Sequence, residues 1–290
     1  MKYLIKNLIT NLKNRKSFNK FFVFAKNLYY SPKLISLQVV FDKYAPYSGG
    51  DSELKSKLTK NTINGIFSSI GFLSSQLNGR EAEIFNLRNM PLTEEEHKSV
   101  EKLKALFVKY KSDKSTNHEY HLLYGKILSK TKDIKTILEI GIGTNNTDNV
   151  SNMGNNGTPG ASLRAFADFC PNSKVFGADF DKRILFKEKR IETYYVDQTN
   201  NDSLDRLGRS LKEKKFDLII DDGLHSPDAN INTLRFATKL IKKGGSIVIE
   251  DINPKAIDIW ISIGYIFPRE EYSCKIIKSM NDLLFLVQKL

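Results

Sequence analysis

From about residue 135 onward, short apolar runs of strand length alternate with helical stretches, and this pattern sets the fold class. Thr136–Ile140, Lys174–Ala178, Thr193–Val196, Phe216–Ile220 and Ser246–Ile249 read as buried strands. Helices are expected between them, at about 161–169, 201–213 and 228–242. Strands buried on both faces and separated by helices form a parallel sheet covered on both sides. The end of the chain differs. Cys274–Ile277 and Leu283–Val287 flank Ser279, Met280, Asn281 and Asp282, which reads as an antiparallel hairpin closing the sheet.

Upstream the signals are weaker. Leu92-Thr93-Glu94-Glu95-Glu96 is a capping box that starts a helix running to about Tyr110. Residues 53–90 look mostly helical, and Ser48 to Asp51 read as a loop. In residues 1–30, Leu4, Leu8 and Leu12 step at helical spacing among lysines and asparagines. The division expected is a mainly helical region over 1–107 and a catalytic α/β domain over 108–290.

Charge has to be divided before it is interpreted. The 290 residues carry a formal net charge of +12, yet residues 1–41 hold eight basic side chains and no acidic one. The remainder has 37 basic against 33 acidic residues, so the overall basicity is no footprint of a nucleic-acid-binding fold. The sharper reading of residues 1–41 is contact with an anionic membrane face or an acidic partner. The plainer one is packing on the chain itself or on a second copy. Cys170 and Cys274 stand far apart, without the spacing of a disulfide scaffold or a cysteine zinc site. No apolar run reaches the length of a membrane span and no signal peptide is evident, so a cytoplasmic protein is expected.

The strand ends carry the chemistry. Glu139-Ile140-Gly141-Ile142-Gly143 places a Gly-x-Gly turn directly after the first strand, where a ligand can approach the backbone. Asn146 stands where a dinucleotide fingerprint needs its third Gly, and no phosphate-cradling Gly-Lys-Ser/Thr follows. Asp179 ends the second strand and suits ribose hydroxyls. Asp197 ends the third and could accept from an adenine amino group. Taken singly, each Asp equally suits a helix cap. Together they fit a nucleoside without phosphates. The fourth strand ends in Asp221-Asp222-Gly223-Leu224-His225 and the fifth in Glu250-Asp251. Asp222, Glu250 and Asp251 could converge on one hard divalent cation, with His225 as a base beside it.

These segments resemble the class I S-adenosylmethionine-dependent methyltransferases, and more narrowly the metal-dependent sugar O-methyltransferases that act on macrolide antibiotics. The resemblance covers about residues 108–290. It rests on Ser112-Asp113-Lys114 with His118 and Tyr120, on Leu138–Gly143, and on Gly160–Leu163. Gly177-Ala178-Asp179, Asp221–His225 and Ile249-Glu250-Asp251 complete it. It implies a Rossmann-like sheet, mostly parallel with an antiparallel last strand. It implies S-adenosylmethionine as cofactor, Mg2+ or another divalent cation, and a sugar or glycan acceptor. Glu139 and Gly141 would border the methionine moiety, Asp179 the ribose and Asp197 the adenine, with Gly143 also at the cofactor. Asp113 and Lys114 would line the cofactor pocket, and Asp221 belongs to the same ligand-facing strand end. Asp222, Glu250 and Asp251 would hold the metal, and His225, with Asp222, would carry the catalysis.

The long loop from Thr144 to Gly160 departs from that pattern and is expected to cover cofactor or substrate. Richness in Asn, Lys and Ile points to an AT-rich bacterial genome, hence to a capsule or lipopolysaccharide precursor as acceptor. The rival readings are an NAD-dependent oxidoreductase on the same architecture, a methyltransferase of a non-sugar small molecule, and a non-catalytic binding module. No base-flipping motif is present, so nucleic acid is not an expected substrate.

Overall fold

The computed structural model describes residues 41–47, 49–74 and 82–290. The helix expected within residues 1–30 lies outside them. Seven α-helices are described: α1 Ser52–Ser74, α2 Glu94–Tyr110, α3 His121–Ile127, α4 Ala161–Phe169, α5 Asn201–Ser210, α6 Pro227–Leu240 and α7 Ile257–Ile266. The strands are β1 Glu83–Asn86, β2 Thr136–Ile140, β3 Lys174–Asp179, β4 Lys187–Glu188, β5 Ile191–Tyr195, β6 Phe216–Asp221, β7 Ile241–Ile252, β8 Tyr272–Lys278 and β9 Leu283–Lys289. They form one sheet in the order β1-β8-β9-β7-β6-β2-β3-β5-β4.

The central strands β7, β6, β2, β3 and β5 pair in parallel. β9 is antiparallel to both β7 and β8. Side chains alternate between the faces as a pleat requires. Leu138, Ile140, Phe176, Ala178 and Ile219 enter the core that also holds Leu204, Leu234 and Trp260. Ile137, Val175, Leu218, Ile220 and Val248 enter the opposite core, with Phe107, Tyr124 and Phe166. Helices α5, α6 and α7 thus cover one face, and α2, α3 and α4 the other. No helix of the described residues is long and apolar enough to cross a membrane.

Thr93 caps α2 as expected: its hydroxyl accepts from Glu96 N–H while the Glu96 carboxylate accepts from Thr93 N–H. The region 53–90 needs correction. It is α1 followed by β1, and β1 adds in parallel to the outer side of β8. The terminal hairpin therefore does not end the sheet. β1 is only four residues long and mostly exposed, so its own pattern carries little strand signal. Its pairing with Lys275–Lys278 is set by a partner remote in the chain. α6 also stops two residues early, because Ile241 already pairs with Phe216 in β7.

A division at 107/108 falls inside α2, where Val100, Leu103 and Phe107 are buried. α1 lies against α6, and the hydroxyls of Thr62 and Ser226 meet at 2.8 Å.

Candidate active site

The parallel strands all end on one edge, and the sequence there turns sharply. Gly141 has φ +86°, and a Cβ on it would lie 2.2 Å from the Asp222 carbonyl oxygen. Only glycine permits this contact between the ends of β2 and β6. Beside it opens a cavity of about 350 Å³ lined by Gly141, Gly143, Asp179, Asp197, Gln198 and Asp222, among others. Asp179 accepts from Ile142 N–H at 2.9 Å and Asp181 N–H at 2.8 Å, and burial raises its pKa. Asp197 accepts from the Thr199 N–H and hydroxyl.

The loop Thr144–Gly160 lines this cavity through Thr144, Asn149, Val150 and Ser151. A carboxylate not singled out by sequence anchors it. Asp181 accepts from Thr144 Oγ1, Asn146 Nδ2 and Asn149 Nδ2, all on Oδ2, and from Arg183. Leu54, Lys57, Leu58 and Asn61 of α1 form a further wall.

Next to the cavity lies a buried acidic cluster. Lys114, 2% exposed, places Nζ 2.7 Å from Asp222 Oδ2 and 3.2 Å from Glu139 Oε1, and also against Glu250 Oε2. Tyr124 donates to the other Glu250 oxygen, and Ser162 donates to Glu139 at 2.6 Å. Burial first, then the charge on Asp222, pushes Glu250 well above the usual carboxylate range. Burial would also raise Asp222, but Lys114 and His225 outweigh it and hold Asp222 low. Lys114 stays charged although burial opposes it, because three carboxylates surround it.

On the other side of Asp222, His225 Nε2 lies 4.0 Å from Asp222 Oδ1 and 3.8 Å from Asp251 Oδ2. Its Nδ1 is buried without a hydrogen-bond partner among the described residues. Asp222, His225 and Asp251 thus present ligand atoms close enough to share one ion. Asp251 is steadied from behind: Tyr120 donates its hydroxyl to Asp251 at 2.6 Å and also contacts Asp282 at 2.7 Å. His118 stacks on Tyr120 and bonds Asp282 at 2.9 Å. Burial disfavours its charged form, but Asp282 and Asp251 win, pushing the His118 pKa up to about 9.

No family model matches the chain. The mycinamicin VI 2''-O-methyltransferase of Micromonospora griseorubida is 37% identical over 95 residues, 32% of this chain and 23% of that protein. The 8-demethyl-8-alpha-L-rhamnosyl tetracenomycin-C 2'-O-methyltransferase of Streptomyces olivaceus is 26% identical over 151 residues, 52% of this chain and 37% of that one. Among solved structures, the MycE methyltransferase of the mycinamycin biosynthetic pathway, in complex with Mg and SAH, superposes with TM-score 0.51 at 23% identity. That match covers 65% of this chain and 54% of MycE. The fold is that of a class I methyltransferase. The resemblance to sugar O-methyltransferases also stands, although the matched stretches span well under half the length of the curated relatives.

On this methyltransferase fold, Gly141, Gly143, Asp179 and Asp197 reach the cavity, and Asp222 stands between the cavity and the acidic cluster. Lys114 and Glu139 meet in that cluster and do not line the cavity. Asp113 lines nothing there; its carbonyl caps the turn at Thr116 and Asn117. Asp221 is a support, fully buried and bonded by Gln198, Asn230 and the Gly223 N–H. Gln198, Tyr124 and Asp282 were not foreseen. Gln198 adjoins a singled-out Asp, but nothing local marks Tyr124 or Asp282.

Proposed function

We propose that this protein is an S-adenosylmethionine-dependent O-methyltransferase that uses a divalent cation, Mg2+ by preference, to methylate a sugar hydroxyl. One observation carries the reading: Asp222, His225 and Asp251 converge beside a cavity whose walls are a Gly-x-Gly turn and two strand-end aspartates. The donors, Asp222 and Asp251, are hard oxygens, and among the described residues five neighbouring carboxylates (Glu139, Asp222, Glu250, Asp251, Asp282) face three basic side chains, Lys114, His118 and His225. That excess of negative charge suits a divalent ion.

Asp222 and Asp251 would hold the ion; Glu250, expected as a third ligand, has one oxygen on Tyr124 and the other on Lys114 and stands outside that group. When bound, the cofactor supplies a methyl electrophile and the ion supplies Lewis acidity toward the acceptor hydroxyl. The chain's own residues do the rest. Gly141 admits the ligand to the backbone, and Asp179 and Asp197 offer acceptor oxygens to a nucleoside. His225 takes the acceptor's proton at Nε2 as the new C–O bond forms and the S–C bond breaks. The curated relatives support the choice of a sugar, since their names specify sugar positions of glycosylated small molecules. The finer reading, a capsule or lipopolysaccharide precursor, is supported by composition alone. So is a cytoplasmic location with residues 1–41 touching a membrane face or acidic partner.

Parallel titration with S-adenosylhomocysteine and NAD tests the cofactor, and only the former should bind. Mass spectrometry of nucleotide-sugars, glycans and rhamnosides after incubation with labelled cofactor and Mg2+ tests the acceptor. Labelling only of non-sugar acceptors would remove the sugar from the proposal.

A further inference from the structure

Two cation positions of the acidic cluster share Asp222; a further group, His118, Asp251 and Asp282, is closed by the His118 imidazole 2.9 Å from Asp282. Of the two that share Asp222, one is bounded by Glu139 Oε1, Asp222 Oδ2 and Glu250 Oε2, and the Lys114 ammonium fills it. The other lies between Asp222 Oδ1 and Asp251 Oδ2, with His225 Nε2 beside them. We infer that Lys114 is a resident counter-cation and positioning residue: it permanently fills the first position, fixes Asp222 and Glu250, and leaves the site room for a single divalent ion.

Geometry supports permanence over a temporary stay. Lys114 reaches the cluster from the loop that precedes α3, and that loop is itself fastened. Tyr120 N–H donates to the Lys114 carbonyl at 2.7 Å, and Thr116 and Asn117 N–H groups donate to the Asp113 carbonyl. The Lys114 side chain is as buried as the core aromatics. Withdrawing the ammonium would leave three buried carboxylates facing one another without a counter-charge, and removing one partner of a buried ion pair is strongly destabilising. Tyr124 and Ser162 complete the cage by donating to Glu250 and Glu139. All three oxygens held by Lys114 belong to residues expected to face metal or cofactor, Asp222 and Glu250 the metal and Glu139 the cofactor, so its charge sets the orientation of both. The inference rests on the divalent-ion reading proposed above.

The test counts ions, not turnover. Full-length wild-type, Lys114→Met and Lys114→Ala proteins are titrated with Mn2+, and free ion is read by electron paramagnetic resonance. Wild type should bind one ion per chain. Both variants should bind two, because the vacated position keeps its carboxylates, and Mn2+ should restore a melting temperature that chelator lowers. A single ion in the variants, bound more tightly than in wild type, would mean that lysine and metal compete for one position and would overturn the inference. Amine acetylation mapped by peptide mass spectrometry decides the matter even if neither variant folds. Lys114 of wild type should stay unlabelled with and without Mn2+. Labelling that begins on adding Mn2+ overturns the inference. Titrating wild type with S-adenosylhomocysteine checks the cofactor separately, so failure there leaves the lysine result standing.

Discussion

His225 and Asp251 have φ +52° and +51°, in the left-handed region that residues other than glycine seldom occupy. Each costs about 1–3 kcal/mol, and such torsions gather where the surroundings enforce a functional geometry. Here they turn the imidazole and the carboxylate toward Asp222. We expect His225→Ala to lower methyl transfer about 10²- to 10⁴-fold, while calorimetry finds its affinity for S-adenosylhomocysteine unchanged. Unimpaired transfer would remove His225 as the base. Gly141→Ala should cost roughly 1–3 kcal/mol in urea unfolding, since its new Cβ meets the Asp222 carbonyl from a left-handed backbone. At this scale the sequence was legible wherever the chemistry sits at a strand end. Asp222, His225 and Asp251 announce themselves by position in the pattern. The pairing of Lys114 with Asp222 and Glu250 does not, because they lie 108 and 136 residues away and only the folded chain brings them together.

Among the elements, the loop Thr144–Gly160 depends on one carboxylate. Hydrogen bonds from Arg183 first, and from Thr144 and Asn146, hold Asp181 well below the usual carboxylate range. A depressed folded pKa stabilises the native state above the unfolded value, about 3.9. That contribution is lost as pH falls through the lower folded value. Asp181→Asn should therefore reduce stability near neutrality, by about 1–3 kcal/mol, and the gap to wild type should close in acid. Chemical unfolding at a series of pH values measures this, and a gap that stays constant would contradict it. The elements buried on both sides, β2 and α4, match their expected bounds because apolar period and turn residues define them locally. β1 was missed for the opposite reason: an exposed four-residue edge owes its conformation to β8.

For the molecule as a whole, residues before 108 are structurally joined to the part that resembles known enzymes. Leu103 and Phe107 are buried in one core with Tyr124 and Phe166, and the Phe107 and Phe166 rings meet at 5.4 Å. Losing one such aromatic side chain costs about 3–5 kcal/mol, and a chain of residues 108–290 loses all but the last three residues of α2. It should fail to unfold cooperatively in calorimetry, whereas the full chain should give a single transition. A cooperative transition in the short chain would support the division at 107/108. The same upstream stretch also reaches the chemistry. Tyr47 N–H donates to the His225 carbonyl at 3.0 Å, Ser151 N–H to the Gly49 carbonyl at 3.4 Å, and Leu54, Lys57, Leu58 and Asn61 wall the cavity. One short stretch of chain thus holds both the loop beside the cavity, through Gly49, and the backbone of the base, through Tyr47, so a substitution there should be felt in ligand binding and in catalysis together.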